Sequence, residues 1–172
     1  MTTAEREPVQ TVTAYVGLGS NLQDPRAQIC RALGSLRAIA LPTSLRRSGL
    51  YQSEPLGPPG QPDYLNAVVS FQTRISPPLL LQSLQAIEQE HGRERTVRWG
   101  PRSLDLDILL YGRSIVAEAG LQIPHPRIPD RVFVLRPLRD LDPDLDVPGM
   151  GPVKALLDHC PAQRLESLEW DG

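Results

Sequence analysis

The sequence predicts one α+β domain built on an antiparallel sheet with helices packed against it. Three observations lead there. Apolar residues alternate with period two in several short runs, and two stretches of helical spacing interrupt them, in the order strand–helix–strand–strand–helix–strand through Tyr111. That order suits an antiparallel, ferredoxin-like sandwich better than a parallel doubly wound sheet. The chain has 172 residues with 40 % apolar and 22 % charged side chains, and it shows no repeat or linker. One core of ordinary composition is therefore expected, over residues 11–172.

Taken in order, residues 1–10 are polar and contain Pro8, which predicts a loose tail. Residues 11–18 make a short β-type run, and Gly17-Leu18-Gly19-Ser20-Asn21-Leu22 predicts a turn after it. Asp24-Pro25 is a helix start, followed by an apolar stripe of Ile29, Ala32, Leu33, Leu36 and Ile39. Residues 45–51 form a weaker strand, and residues 54–63 carry too much proline and glycine for helix or ladder. Residues 65–73 alternate like a strand. Ser76-Pro77 opens a second helix with Leu80, Leu84 and Ile87 on one face and Gly92 as its stop. Over residues 103–111, Leu104, Leu106, Ile108 and Leu110 are expected on one face, and Asp105, Asp107, Leu109 and Tyr111 on the other. Asp130 is placed to cap a helix carrying Phe133, Leu135 and Leu138, which Pro137 should kink or end near Arg136. Residues 153–160 predict a last short helix.

The net charge of −2 gives no reason to expect broad attraction to nucleic acid or membrane. The start of the chain has no apolar leader, and no apolar run reaches membrane-spanning length. Cys30 and Cys160 fall on apolar positions of the expected helices and form no CxxC pair, so both are expected as buried free thiols in a reducing, cytoplasmic setting. Seventeen of the eighteen cationic residues are arginine, and Lys154 is the remaining one; position, not abundance, has to carry an argument from arginine.

Asp105 and Asp107 are two apart on one strand, so they share a face with Cα atoms roughly 6.5–7 Å apart. Two carboxylates side by side repel, which should strain the metal-free strand. Hard oxygen donors at that spacing suit one or two Mg²⁺ ions, which in turn hold phosphate oxygens. Immediately upstream, residues 92–102 carry Arg93, Arg95, Arg98 and Arg102 on a segment that begins with Gly92 and holds Gly100-Pro101 near its end. Guanidinium forks beside a dicarboxylate are what a metal–polyphosphate ligand needs. Aromatic residues make up 5 % of the chain; Tyr64 follows the proline-rich residues 54–63, Trp99 sits in the arginine segment, and Phe133 comes just after Arg131. Two such rings can stack a flat heterocycle, while Asn66 offers a paired donor and acceptor on the strand face opposite Ala67, Val69 and Phe71. The glycine-rich GLGSN stretch is neither a Walker A loop nor a dinucleotide fingerprint. The histidines show no metal-binding spacing, and His125 is held between Pro124 and Pro126.

Four segments together, AYVGLGSNL, YQSEPLGPPGQPDYLNAV, GRERTVRWGPRSLDLDILLYG and IPHPRIPDRVFVLRPL, resemble the 6-hydroxymethyl-7,8-dihydropterin pyrophosphokinases of folate biosynthesis, over residues 15–138. The resemblance implies transfer of pyrophosphate from ATP to the pterin hydroxymethyl group with release of AMP. It implies two Mg²⁺ ions held by Asp105 and Asp107, with Arg93 and Arg102 joining them in catalysis. It implies ATP contacts from Glu88, Arg93, Arg95, Trp99, Arg102, Ile108, His125 and Arg131. It also implies a pterin slot of Ser53, Leu56, Tyr64, Asn66 and Phe133. Partners would be those two substrates, with no nucleic acid and no membrane, and a monomer is expected. Where some relatives have an aromatic residue after the histidine, this chain has Pro126. Two other classes compete on the residues themselves. A Mg²⁺-dependent nuclease or nucleotidyltransferase would need a longer basic surface, and a non-catalytic ligand-binding module would have no use for Asp105 and Asp107 beside four arginines.

Overall fold

The alternating runs lie side by side at the centre of the computed structural model, which describes residues 10–92 and 103–171. In chain order the elements are β1 (Val12–Ser20), α1 (Pro25–Ile39), β2 (Arg46–Arg47), β3 (Leu50–Ser53), β4 (Tyr64–Thr73), α2 (Pro77–Glu90), β5 (Asp105–Tyr111), β6 (Val116–Glu118), β7 (Leu121–Ile123), α3 (Val132–Leu141), β8 (Asp146–Val147), β9 (Gly151–Pro152), α4 (Val153–His159) and β10 (Leu165–Leu168). The main sheet has the order β10-β3-β4-β1-β5, with β2 also paired to β4, and its neighbours are antiparallel. The β3-β4-β1-β5 portion is the expected ferredoxin-like arrangement.

Each sheet face has its own core. Val16 and Leu18 of β1, Ala67, Val69 and Phe71 of β4, and Leu106 and Ile108 of β5 bury themselves under α1 and α2. Val68, Leu109 and Leu110 face the other way, against Val134, Leu135, Leu138 and Leu141 of α3 and Val153 of α4. The third layer covers part of that face. The uncovered part, beside the end of β1, is where a cavity opens.

Six expectations change. Gly17 to Ser20 form no turn: they continue β1, paired with β4 on one side, and Gly17 and Gly19 with β5 on the other. Two neighbouring strands supply backbone partners that outweigh the weak strand preference of glycine. The 45–51 strand is broken. Ser48 exchanges hydrogen bonds with Val68 through its own N–H and its Oγ, leaving β2 and β3 as separate pieces. In β5, Val16 pairs with Ile108 and Tyr15 with Leu110, so Leu109 has no residue opposite it. This β-bulge shifts the alternation by one: Leu110 joins the α3 side and Tyr111 the α1–α2 side, the reverse of the simple period.

Pro137 does not end its helix, and α3 runs on to Leu141. An internal proline costs about 3 kcal/mol. Four buried aliphatic side chains on the same helix return about 1.5–3 kcal/mol each, which decides the balance. Asp130 lies in a short 3-10 turn and is not the cap; Arg131 occupies that position with no side-chain cap of its own. Lastly, Cys30 is exposed and Cys160 only half-buried; both are free thiols. The buried stripe of α1 takes in Gln28, Ile29, Ala32, Leu33 and Leu36. Cys30 follows Ile29 by one residue, about 100° around the helix, and so leaves that stripe. No helix among the described residues is long and apolar enough to cross a membrane.

Candidate active site

Sheet register builds the cavity floor. Gly19 of β1 pairs with Asn66 of β4 on one side and Asp105 of β5 on the other. Two residues back, Gly17 pairs with Val68 and Asp107. Two parallel rows result, Asn66–Gly19–Asp105 and Val68–Gly17–Asp107, and all six residues line a cavity of about 480 Å³. Strands lie roughly 4.8 Å apart, so each row spans about 10 Å. The glycines keep the middle of the floor low. A Cβ on Gly19 would come within 3.4 Å of Asn66 Oδ1, and one on Gly17 within 3.5 Å of the Leu109 side chain.

One wall of the cavity carries charge. His125, Pro126, Arg127, Arg131, Phe133 and Val134 line it. The bulge in β5 helps to place them, because the Leu109 carbonyl accepts the His125 N–H at 3.0 Å. His125 Nδ1 accepts the Arg127 N–H at 3.1 Å, which puts the proton of the neutral ring on Nε2. Burial, and then the neighbouring charge of Arg131, pushes His125 down to about 4 against the opposing pull of Asp105. Burial lowers Arg131 also, while the carboxylates of Asp107 and Asp105 raise it, so its guanidinium stays a cation within electrostatic reach of both. Its guanidinium carbon also sits 5.7 Å from the centre of the Phe133 ring.

A pH dependence follows. The unfolded chain binds a proton at His125 below its ordinary value of 6.5, whereas the native chain does so only near 4. This contribution to stability is complete above pH 6.5 and declines as pH falls towards 4. At pH 5, without ligands, the loss should be on the order of 1–2 kcal/mol. His125→Asn should therefore lose less melting temperature than wild type between pH 7 and pH 5. Parallel losses in the two proteins would contradict it.

The other wall is Ser53, Glu54, Leu56, Gly57 and Tyr64, from the end of β3, the proline-rich segment and the start of β4. Asn66 donates from Nδ2 to Ser53 Oγ at 2.7 Å, both residues being buried. That bond commits one amide hydrogen and orients the carbonyl oxygen towards Gly19 and the cavity. The structure thus brings together Ser53, Leu56, Tyr64, Asn66, Asp105, Asp107, His125, Arg131 and Phe133 of the residues expected from sequence.

Two expected residues stand elsewhere. Glu88 is buried on α2, and its Oε2 accepts the Leu106 N–H at 3.1 Å, bracing β5 between its two aspartates. The Ile108 side chain is in the core under α1 and α2. Arg93, Arg95, Trp99 and Arg102 lie outside the described residues. The ends of their segment are tied together: Ser103 Oγ donates to the His91 carbonyl at 2.9 Å, and Ser20 Oγ donates to the Ser103 carbonyl. Burial pushes His91 down, and its Nδ1 meets Gln28 Oε1 at 2.5 Å.

Sequence reasoning missed Gly17, Gly19, Arg127 and Glu54 as lining residues. The signal for the glycines was present: two glycines two apart in an alternating run share a face and leave space on it. Arg127 had no such signal, because its approach depends on the turn around His125.

Asp105 and Asp107 present hard oxygen donors into the cavity, and no cluster of three or more potential metal ligands occurs among the described residues. That donor set fits Mg²⁺, which commonly takes one or two carboxylates plus substrate phosphates and water.

The family model for 7,8-dihydro-6-hydroxymethylpterin-pyrophosphokinase matches residues 15–143. The chain is 47 % identical over 154 residues to the 2-amino-4-hydroxy-6-hydroxymethyldihydropteridine pyrophosphokinase of Pseudomonas aeruginosa, covering 90 % of this chain and 95 % of that one. It is 42 % identical over 128 residues to the protein of the same name from Bacillus subtilis, covering 74 % of this chain and 77 % of that one. Among solved structures, wild-type HPPK-DHPS of Plasmodium falciparum superposes with a TM-score of 0.68 at 14 % identity, over 89 % of this chain. The present chain spans 45 % of that longer one, and the likeness is one of fold.

Proposed function

Since the chain belongs to the 7,8-dihydro-6-hydroxymethylpterin-pyrophosphokinase family, we propose that its cavity holds the pterin over the Asn66–Gly19–Asp105 row and the ATP triphosphate beside His125, Arg127 and Arg131. The chain transfers a pyrophosphoryl group from ATP to the hydroxymethyl of 6-hydroxymethyl-7,8-dihydropterin, a step of folate biosynthesis. The observation that carries the site assignment is the row itself. An amide that reads a polar heterocycle edge stands at one end, a carboxylate at the other, and glycine leaves flat floor between them.

Asn66 Oδ1 accepts from the amino edge of the pterin, with Ser53 fixing the amide. Tyr64 and Phe133 stack on the ring, and Leu56 lies over it. The hydroxymethyl end then points to Asp105 and Asp107. The substrate oxygen attacks the β-phosphorus; the bond from that phosphorus to the α–β bridging oxygen breaks, and AMP leaves. His125 donates from Nε2–H to phosphate oxygen, and Arg127 and Arg131 neutralise charge without moving as it develops. Arg93, Arg95 and Arg102, with Trp99 against the nucleotide, complete the set. Asp105 and Asp107 would hold Mg²⁺, which would supply a Lewis acid for the phosphate oxygens. Glu88 holds β5 through the Leu106 N–H. The free thiols suit a reducing cytoplasm.

Incubation with ATP, Mg²⁺ and the reduced pterin should yield AMP and a pterin diphosphate ester in a 1:1 ratio, read by nucleotide chromatography. ADP as the main nucleotide product would mean ordinary kinase chemistry and remove this assignment.

A further inference from the structure

The two cavity walls are tied together by residues far from both in sequence. After α4, the chain crosses towards the open face and enters β10, which pairs with β3 from Leu165 opposite Ser53 to Leu168 opposite Leu50. Just before that strand, Gln163 meets the peptide that precedes Phe133. Its Nε2 donates to the Asp130 carbonyl at 2.6 Å, and its Oε1 accepts the Val132 N–H at 3.2 Å. The next residue reaches the opposite wall. Arg164 N–H donates to Glu54 Oε1 at 3.1 Å, and its guanidinium donates to Asp63 Oδ1 at 2.8 Å. Gln52 holds the second oxygen of Asp63 at 2.9 Å.

Gln163 is more than a surface contact. Arg131, the residue between its two bonds, opens α3 with no side-chain cap of its own, and Val132 N–H is among the donors that a helix start leaves unsatisfied. Gln163 supplies that acceptor and holds the carbonyl on the other side of Arg131 as well. A two-point grip on the Arg131 backbone sets the direction in which Arg131 and Phe133 leave it. The strap that carries Gln163 is anchored beyond the far end of β10. Trp170 Nε1 donates to the Ser48 carbonyl at 3.0 Å, and the Arg47 guanidinium stacks 4.4 Å from the centre of the Trp170 ring. The exposed Arg164–Asp63 pair adds little stability by itself. Its use is geometric, because it brings the Glu54–Asp63 segment to the same strap.

We propose that Gln163 is a positioning residue for the pterin slot: through Asp130 and Val132 it aims Phe133 and Arg131, while Arg164 fixes the facing wall to the same strap. This rests on the pterin assignment above. It concerns residues beyond 143, where the family match ends.

Two variants separate aiming from simple capping. Gln163→Ala removes both bonds. Gln163→Glu keeps the acceptor for Val132 N–H, with a charge favourable at a helix start, but loses the donor to the Asp130 carbonyl. Binding of 6-hydroxymethylpterin is titrated with Mg²⁺ and a non-hydrolysable ATP analogue, alongside melting temperature and steady-state turnover. Gln163→Glu should melt within a few degrees of wild type yet bind the pterin about fivefold or more weakly, the scale of one lost hydrogen bond. Gln163→Ala should weaken it further, with KM for the pterin rising more than KM for ATP. Wild-type affinity in Gln163→Glu would show that Gln163 only caps α3 and overturn the proposal. Weakening of pterin and nucleotide by equal factors in both variants would overturn it as well. If the wild-type protein itself fails to bind the pterin, the slot assignment falls, and this inference falls with it.

Discussion

Asp107→Asn should cut pyrophosphoryl transfer by about 10²–10³-fold, the scale for losing one preorganised electrostatic contact at a reacting centre. The metal-free protein should melt near the wild-type temperature. Like-charge repulsion between Asp105 and Asp107, read from sequence, suggests a strained strand that such a change would relieve. The structure supplies an opposing term: Arg131 feels both carboxylates, Asp107 first. Removing one charge relieves Asp105 and deprives Arg131, so the two effects offset. Ligand linkage should separate the proteins instead. At Mg²⁺–ATP about 100-fold above its dissociation constant, wild type gains about 2.7 kcal/mol. For a domain of this size that is about 5–10 °C in melting temperature. The gain should shrink clearly in Asp107→Asn. Full turnover in the variant, with an early apo melt, would make the pair structural and sink the metal assignment.

Arg131→Met should lose turnover on the same scale, about 10²–10³-fold, and should differ from Asp107→Asn in its apo stability. Methionine keeps much of the stem volume while removing the cation. Asp105 and Asp107 then face each other across one strand repeat with less compensation. The metal-free protein should be destabilised by about 1 kcal/mol, discounted from the buried-pair range because the cavity is open to solvent. Mg²⁺ without nucleotide should recover part of that loss in Arg131→Met, and do less for wild type. Melting curves across a Mg²⁺ titration, run beside turnover, test both statements. An apo melt unchanged from wild type would show that Arg131 does not compensate the carboxylates.

Much of the candidate site was legible in the chain because it depends on short-range periodicity. Asp105 and Asp107 are two apart in an alternating run, and a strand of either sheet type puts them on one face. Asn66 sits opposite Ala67, Val69 and Phe71 for the same reason, and the folded chain keeps it there, on the cavity side. The helices were readable from stripes such as Leu80, Leu84 and Ile87, with proline at their starts. Glu88 reads as one more acidic residue in a helix. Its grip on β5 appears once α2 packs behind that strand and the Leu106 N–H needs a buried acceptor.

The amino-acid sequence by itself determined many of the faces: which side chains of β4 and α2 turn inward, that proline opens α1 and α2, and that two carboxylates share a surface. Those properties follow from rotation per residue, a quantity local to each element. Tertiary structure decided which faces meet. Pairing with both β4 and β5 made Gly17–Ser20 a strand where local preference predicted a turn. The unpaired Leu109 moved Leu110 and Tyr111 to opposite cores and turned a carbonyl to His125. Burial of α3 carried the helix past Pro137. Gln163 reached Asp130 and Val132 only because β10 pairs with β3 at the far edge of the sheet. Each of these depends on partners distant in the chain, whose register and burial free energy outweigh a local preference worth about 1 kcal/mol for glycine and about 3 for proline.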